Sequence, residues 1–265
     1  MKRFFKKMRF LIYNLIILSY TSFSQDTTWV QMGTDIFGAQ DTDKLGKNVS
    51  ISKNGNIMAV AADRGYINIY EFSSNTNSWI LFKTVSGNVL SLSGDGNTLA
   101  TAFIGTDNEL VTDSVQNDNL NKTKIYRRTS SSGTVNWNQK GQIIFGEKEG
   151  DYSGTSLSLN YDGSILAIGA PNNDGNGGNS GHTRIYQYQE LSNNQWIKLG
   201  SDIDGEAIYD NSGNSVSINA DGNIVAIGAH NNDGNGNNSG HVRVFKYDSL
   251  DWVQLGADID GEAEN

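Results

Sequence analysis

The side chains in this sequence best suited to binding chemistry are carboxylates and amides, which are concentrated in two kinds of Gly-rich loop. Carboxylate and amide oxygens are the ligands of Ca²⁺, which takes about 6 to 8 of them. The sequence therefore offers a candidate calcium site built from Asp202, Asp204, Glu206, Asp210, Asp233, Asn235, Asp174 and Asn176. The alternative is that Asp, Asn and Gly occupy these loops because they form turns.

The second half of the chain is a repeat. Asp151 and His182 recur as Asp210 and His241, both displaced by the same offset along the chain. Self-similarity at a fixed period of this kind indicates a repeat architecture. The two His residues could suggest a metal or catalytic site. Their identical position in both copies instead favours a structural role that each repeat needs.

Tryptophan marks nearly the same period along the whole chain, at Trp29, Trp79, Trp137, Trp196 and Trp252. We expect one buried Trp anchor per repeat, in preference to a row of Trp side chains that stack on sugars. A turn dipeptide follows each of the first four: Asn54-Gly55, Asp95-Gly96, Asp162-Gly163 and Asp221-Gly222. Such dipeptides supply the positive φ angles of tight hairpins.

Strand patterns surround these turns. Residues 224–228 are apolar on both faces, which predicts a strand buried on two sides. A third strand follows at 241–247 and a short fourth strand at 252–255, and no long segment has the 3.6-residue period of a helix. Each repeat is therefore predicted to be four sequential antiparallel strands.

These features predict an all-β fold, a β-propeller of four-stranded antiparallel blades with about four blades present. A β-solenoid is the alternative, but its coils are usually shorter and lack such a hairpin. The predicted blades, within a repeat region at 25–265, are 46–84, 85–142, 151–201 and 210–256, with a lone leading strand at 28–33. The other three strands of that leading strand's blade are missing, so we expect an incomplete ring.

In such a blade, the loop entering strand one and the loop joining strands two and three lie at the same end. We call the surface formed by these two sets of loops the loop face. Since loops are where such folds carry function, the loop face is the predicted binding surface.

The N-terminal segment has the plan of a secretory signal peptide at residues 1–24: five positive charges, a short apolar run and small residues before Gln25. The apolar run is too short to span a bilayer, so no membrane span is expected after cleavage. The remaining 15 Lys and Arg face 29 Asp and Glu, a net charge of −14. This acidity argues against nucleic acid as a partner. The absence of Cys excludes disulfides and thiolate metal sites.

The segment 212–229, SGNSVSINADGNIVAIGA, followed by GHVRVFKY at 240–247, resembles an FG-GAP repeat, and Ala-Ile-Gly-Ala-Pro at 167–171 is similar to the motif that names the family. The resemblance, which also extends to exported proteins of the Bacteroidetes type, implies an integrin-α-like propeller and a role in adhesion at the cell surface. The integrin-type repeat holds calcium between its first two strands. Here that connection, residues 219–223, has a single carboxylate, so this calcium site does not carry over.

The predicted function is a non-enzymatic secreted or cell-surface protein that binds a protein or glycan through its loop face. One alternative is a carbohydrate-active enzyme, for which the non-repeated acidic insert at 105–121 is the only distinctive carboxylate cluster. Another is a purely structural module of a larger surface protein. No nucleophile elbow or phosphate-binding loop is present in the sequence.

Overall fold

The computed structural model describes residues 29–104 and 121–262, which form strands and turns without a helix. The chain divides into a short unit, Met1–Met32, and a second unit, Gly33–Asn265, to which every strand belongs. The predicted signal peptide and nearly all of the acidic insert lie outside the described residues. In the part of the chain that is described, no helix is long and apolar enough to cross a membrane.

Four antiparallel sheets follow one another along the chain, each built from sequential strands, which is the construction of a β-propeller. The first blade contains β1 (Asn48–Ile51), β2 (Ile57–Ala61), β3 (Tyr66–Ser73) and β4 (Ser78–Ser86). The second contains β5 (Val89–Leu92), β6 (Thr98–Ala102), β7 (Lys122–Ser131), β8 (Thr134–Gln139) and β9 (Ile144–Phe145). The third contains β10 (Ser156–Leu159), β11 (Ile165–Ala170), β12 (His182–Gln189), β13 (Gln195–Lys198) and β14 (Ile203–Asp204). The fourth contains β15 (Ser215–Ile218), β16 (Ile224–Ala229), β17 (His241–Tyr247), β18 (Trp252–Gln254) and β19 (Ile259–Asp260).

The fourth strand of the blade is continuous only in the first copy, where β4 pairs along the whole of β3. In the third blade this strand is divided: β13 pairs with the second half of β12, and β14 pairs with its start through His182 and Asp204. The second and fourth blades repeat the division. Each sheet therefore keeps the four predicted strand positions, and the short outer segments β9, β14 and β19 are an addition that the sequence did not predict.

The predicted hairpins between the first and second strands are formed. In the fourth blade, Asn219 Oδ1 accepts hydrogen bonds from the backbone N–H groups of Asn223 and Ile224, both at 2.9 Å. Gly222 has φ of +74°, the left-handed conformation that makes Gly the favoured residue at this turn. This connection is a turn closed by its own side chains.

Neighbouring blades are joined through their first strands, with β1 beside β5, β5 beside β10 and β10 beside β15. In each of these pairs, a serine hydroxyl of the earlier strand accepts a hydrogen bond from a backbone N–H of the later strand. The bonds are Leu92 N to Ser50 Oγ (3.2 Å), Leu159 N to Ser91 Oγ (3.0 Å) and Ile218 N to Ser158 Oγ (3.0 Å). No comparable packing joins β1 to β15 among the described residues, so the four blades form an open arc.

The hydrophobic core lies between the blades. Three clusters of buried side chains each combine residues from two successive blades, and a Trp of the later blade belongs to each cluster. These residues are Trp137, Trp196 and Trp252. The predicted role of Trp as a buried anchor is therefore confirmed for these three copies, because each Trp closes the contact between two sheets.

Two strand predictions need correction. The third blade's second strand, β11, is buried throughout, whereas β16 in the fourth blade buries only alternate residues, because a neighbouring blade covers one side alone. At the N-terminal end, residues 29–33 form no strand, and Trp29 is fully exposed. A lone strand needs the edge of a sheet to pair its backbone groups.

Candidate functional site

The loop face is held together by a buried aspartate in the loop before the first strand of the first, third and fourth blades. Asp210 Oδ2 accepts hydrogen bonds from Ala207 N and from the side-chain amide of Asn232, both at 2.9 Å. Asn232 belongs to the loop joining β16 to β17. The bond therefore confirms that the two kinds of loop meet at one end of the blade.

The same clamp recurs in other blades. In the third blade, Asp151 Oδ2 accepts from Lys148 N at 3.2 Å and from Asn173 Nδ2 at 2.9 Å. In the first blade, Asp43 Oδ2 accepts from Gln40 N at 2.9 Å and from the Tyr66 hydroxyl at 2.6 Å. All three carboxylates are buried. Asp210, one of the candidate calcium ligands, thus occupies a position that ties two loops together.

Four other candidate ligands make bonds within or between loops. Asp174 Oδ1 accepts from Asn179 N at 2.9 Å, and Asp233 Oδ1 accepts from Asn238 N at 2.7 Å. Asn176 and Asn235 donate through their side-chain amides to the carbonyl oxygens of Gly205 and Gly261. These four residues therefore stabilise turns and loop contacts, as the alternative interpretation of the sequence predicts.

The remaining three candidates, Asp202, Asp204 and Glu206, are divided between the surroundings of two histidines. Asp202 joins a group with Glu147 and His182, whereas Glu206 joins a second group with His241 and Asp258. Asp204 Oδ1 lies 4.0 Å from His182 Nδ1.

Each of these two groups offers a nitrogen and two carboxylate oxygens that all lie within 4.8 Å of one another, so each could hold a metal ion. We call them the third-blade cluster (Glu147, His182 and Asp202) and the fourth-blade cluster (Glu206, His241 and Asp258). In both, the His is the first residue of the blade's third strand and is buried. The Glu comes from the chain that enters the blade, and the Asp precedes the blade's short outer strand.

An arginine two residues after each His, in the same strand, contacts the Glu of the cluster. Arg243 Nη1 lies 3.5 Å from Glu206 Oε1, and its Nη2 donates to the carbonyl oxygen of Asp204. Arg184 repeats these contacts with Glu147 and with the carbonyl oxygen of Phe145. Both arginines are buried. The second oxygens of the two Glu differ: Glu206 Oε2 lies 3.7 Å from His241 Nδ1, whereas Glu147 Oε2 accepts a hydrogen bond from Asn173 Nδ2 at 3.4 Å.

Burial sets the protonation of the third-blade cluster. Removal from water lowers the pKa of His182, and the nearby Arg184 guanidinium lowers it further. A lowered pKa favours the neutral imidazole, which is the form that binds metals. Burial raises the pKa of the neighbouring Asp204 carboxyl.

Four of the six cluster residues are absent from the calcium ligands predicted from the sequence: Glu147, His182, His241 and Asp258. Glu147 and Glu206 are separated by the same offset as the two His and the two Arg residues. This shared offset was the signal that could have identified the clusters. A repeated His considered alone indicates a structural role as readily as a binding role, so the offset is informative only when the Glu, His and Arg residues are compared together.

Comparison of the sequence with protein families gave one match. The FG-GAP repeat family matches residues 201–245. This segment is similar to an FG-GAP repeat. The matched segment begins before β14, includes the Asp210 clamp and Glu206, and ends within β17. The FG-GAP repeat thus carries both the loop face of the fourth blade and two members of the fourth-blade cluster.

Solved structures similar to the chain share its fold at low sequence identity. One is KlAtg21 in complex with the coiled coil of AgAtg16, with a TM-score of 0.52 and 13% identity over 78% of this chain and 55% of that one. Another is described as a 6-phosphogluconolactonase from Bacteroides uniformis, with a TM-score of 0.50 and 12% identity over 80% and 54%. A protein of the same description from Bacteroides fragilis has a TM-score of 0.48 and 14% identity over 80% and 54%.

The chain spans about half the length of these solved structures. At such identities the likeness concerns the fold alone. A search among curated proteins gave no match.

Proposed function

We propose that this protein is a non-enzymatic, exported repeat scaffold that binds an extracellular protein or glycan through its loop face. A repeat scaffold is what the FG-GAP match and the propeller fold support. Export rests on the signal-peptide pattern of residues 1–24.

One observation carries the binding proposal: two large apolar side chains project from the loop face between the third and fourth blades. Ile208 is 60% exposed and Tyr209 is 62% exposed. Tyr209 has φ of +66°, a left-handed conformation that is uncommon for a bulky residue. Strained backbone of this kind is concentrated at binding and active sites, where the surrounding structure maintains it.

Loops from two successive blades support this pair. Tyr209 N donates a hydrogen bond to the carbonyl oxygen of Gly178 at 2.9 Å, and Gly178 lies in the loop joining β11 to β12. The Ile208 side chain packs against Gly177, where an added Cβ would lie 2.5 Å from Ile208 Cγ2. The pair is therefore presented by a preformed surface, which lowers the entropy cost of binding.

The chemistry of the patch fits a macromolecular ligand. An exposed aromatic ring with a hydroxyl group offers both apolar area and a hydrogen bond, and Tyr is among the residues enriched at binding hot spots. Asp174, Asn176 and Asp233 add exposed polar groups on the same face. An apolar centre with a polar surround is the usual anatomy of a protein interface.

The test uses the full chain on arrays of glycans and extracellular matrix proteins. We expect saturable binding to at least one class, and Tyr209→Ala should weaken it by about tenfold or more, the effect of a hot-spot residue. The matched control is Leu191→Ala, because Leu191 is fully exposed in the β12–β13 connection, at the opposite end of the blade.

Three outcomes would overturn the proposal. They are silence on both arrays, equal losses for Tyr209→Ala and Leu191→Ala, or cleavage of a bound glycan by the chain. Mass spectrometry of the recovered glycans detects the last outcome, which would support the enzyme alternative instead.

A further inference from the structure

We propose that the fourth-blade cluster and the third-blade cluster are binding sites for a divalent transition-metal ion of the Zn²⁺ type. This inference does not require a loop-face ligand, although Glu206 and Glu147 belong to the loops that enter the fourth and third blades. In the fourth-blade cluster, the His nitrogen lies 3.7 and 3.8 Å from the two carboxylates.

His241 supplies a buried imidazole, with a side chain that is 1% exposed. Its Nδ1 points at two carboxylate oxygens, 3.7 Å from Glu206 Oε2 and 3.8 Å from Asp258 Oδ2. Both separations exceed the roughly 2.7–3.2 Å of a hydrogen bond. A buried imidazole that faces two carboxylates without bonding either of them leaves room for an ion between the three groups.

The separations suit an ion of this size. Zn²⁺ binds His nitrogen and carboxylate oxygen at about 2.0–2.2 Å. Two such ligands can therefore be up to about 4.2 Å apart, and about 3.4 Å apart at a tetrahedral angle. The observed 3.7 and 3.8 Å lie within this range.

The second oxygen of each carboxylate already has a partner of its own. Arg243 Nη1 lies 3.5 Å from Glu206 Oε1, and Gln254 Nε2 donates to Asp258 Oδ1 at 2.6 Å. Partners that orient metal-binding carboxylates in this way are typical of protein metal sites. They leave Oε2 and Oδ2 directed at His241, which is the arrangement a shared ion requires.

Ligand type and charge select the ion. One imidazole nitrogen with two carboxylates suits Zn²⁺ and related ions, whereas Ca²⁺ and Mg²⁺ prefer all-oxygen sites. Two carboxylates that approach within 4.8 Å repel each other, and a divalent cation neutralises both. Three protein ligands leave a coordination position open to water or to a ligand. The calcium ion expected from the sequence is thus replaced by a different metal at a partly different set of residues.

The third-blade cluster provides the independent repetition. Glu147, His182 and Asp202 occupy equivalent positions, with Arg184 again on the far side of the Glu. Lys198 takes the place of Gln254 and donates to Asp202 Oδ1 at 2.9 Å. The repeat therefore preserves the three ligand types and the arginine, and the chain should bind two ions.

The test is isothermal titration of the untagged, chelator-treated full chain with ZnCl₂. We expect two ions per chain with a dissociation constant of about 1 µM or tighter. His241→Gln and His182→Gln should each remove one ion, and the double variant should remove both. His230→Gln is the matched control, because His230 is the remaining His, is exposed and lies outside both clusters, so this variant should keep two ions.

Absence of saturable Zn²⁺ binding, or an unchanged stoichiometry in the double variant, would overturn the proposal. So would preferential binding of CaCl₂ that the His substitutions do not affect. If His241→Gln fails to fold by circular dichroism, Asp258→Asn takes its place, since Asp258 is partly exposed and Asn keeps its shape. Absorption of Co²⁺ in the visible range gives a second readout, and it should fall by half in either single variant.

Discussion

The indole Nε1 of Trp252 donates a hydrogen bond to the backbone carbonyl oxygen of Leu199 at 2.8 Å, which ties the fourth blade to the third. Trp196 makes the equivalent bond to Lys140, also at 2.8 Å, between the third blade and the second. The residue after each acceptor is a Gly, and the Trp ring packs directly on it. The spacing of Trp along the sequence is therefore the spacing of contacts between blades.

The Gly residues at these contacts give a matched pair for testing their energetics. A Cβ added to Gly200 would lie 2.8 Å from Trp252 Cδ1, whereas a Cβ on Gly256 would meet nothing within 4 Å. Both have positive φ, so alanine costs each roughly 1–2 kcal/mol in backbone strain. Gly200→Ala should cost about 1–3 kcal/mol more, from overpacking at the blade contact. Urea unfolding of both variants measures the difference, and equal losses would contradict the proposed packing.

The serine bonds between first strands lead to a second prediction. Ser158→Ala leaves the N–H of Ile218 without its partner and should cost about 1–3 kcal/mol. Ser217 occupies the next position in this series and is exposed, so Ser217→Ala should change the free energy of unfolding by less than about 0.5 kcal/mol. Thermal melting of the two variants side by side makes the comparison. A large loss from Ser217→Ala would show that both serines act through something other than the bond between strands.

The construction of the blades could be predicted from the sequence, because the signals for it are local. Asp-Gly turns, alternating strands and the Trp period each depend on residues close together in the chain, and the structure forms the hairpin at Gly222 and buries Trp196 as expected. The division of the fourth strand was missed, because a two-residue strand such as β14 has no periodicity to detect.

The candidate site was harder to predict, since its residues lie far apart in the sequence. Glu206 and Asp258 meet at His241 although they lie on opposite sides of it in the sequence and far from each other. Nothing local distinguishes Asp258 or Glu206 from the carboxylates that cap turns, such as Asp233. Only the pairing of β17 with β19 places Asp258 beside the start of the third strand.

The clamp of the first blade predicts sensitivity to acid. The Tyr66 hydroxyl is the main cause of the lowered pKa of Asp43. A carboxyl with a lowered pKa in the folded state adds stability above its unfolded pKa, and this stability is lost as the pH falls through the folded pKa. Tyr66→Phe should therefore make the chain unfold at a higher pH during acid titration. Tyr126→Phe is the control, since Tyr126 has no side-chain hydrogen bond in the described residues, and equal shifts in both variants would refute this account.

Lys140 is a buried amino group at the contact between the second and third blades. Its Nζ donates to the carbonyl oxygen of Gly163 at 2.6 Å and lies over the ring of Tyr188 at 4.6 Å. Burial, and secondarily the Arg127 charge, lowers the pKa of Lys140 to about 8. Leu199 occupies the equivalent position in the next repeat and packs against the core between the third and fourth blades, so this place in the repeat accepts an apolar side chain.

The lowered pKa of Lys140 predicts how stability depends on pH. Between about pH 8 and the ordinary lysine pKa near 10.4, the unfolded chain binds the extra proton, so the free energy of unfolding rises with pH across this window. The full change attributable to Lys140 is about 3 kcal/mol. Lys140→Leu should stabilise the chain at pH 7 and remove this rise, whereas Lys83→Leu, at an exposed lysine of β4, should keep it. Urea unfolding at pH 7, 8, 9 and 10 gives the slopes. If Lys140→Leu retained the slope of the unsubstituted chain, the rise in the free energy of unfolding would come from other ionisable groups, which both proteins share.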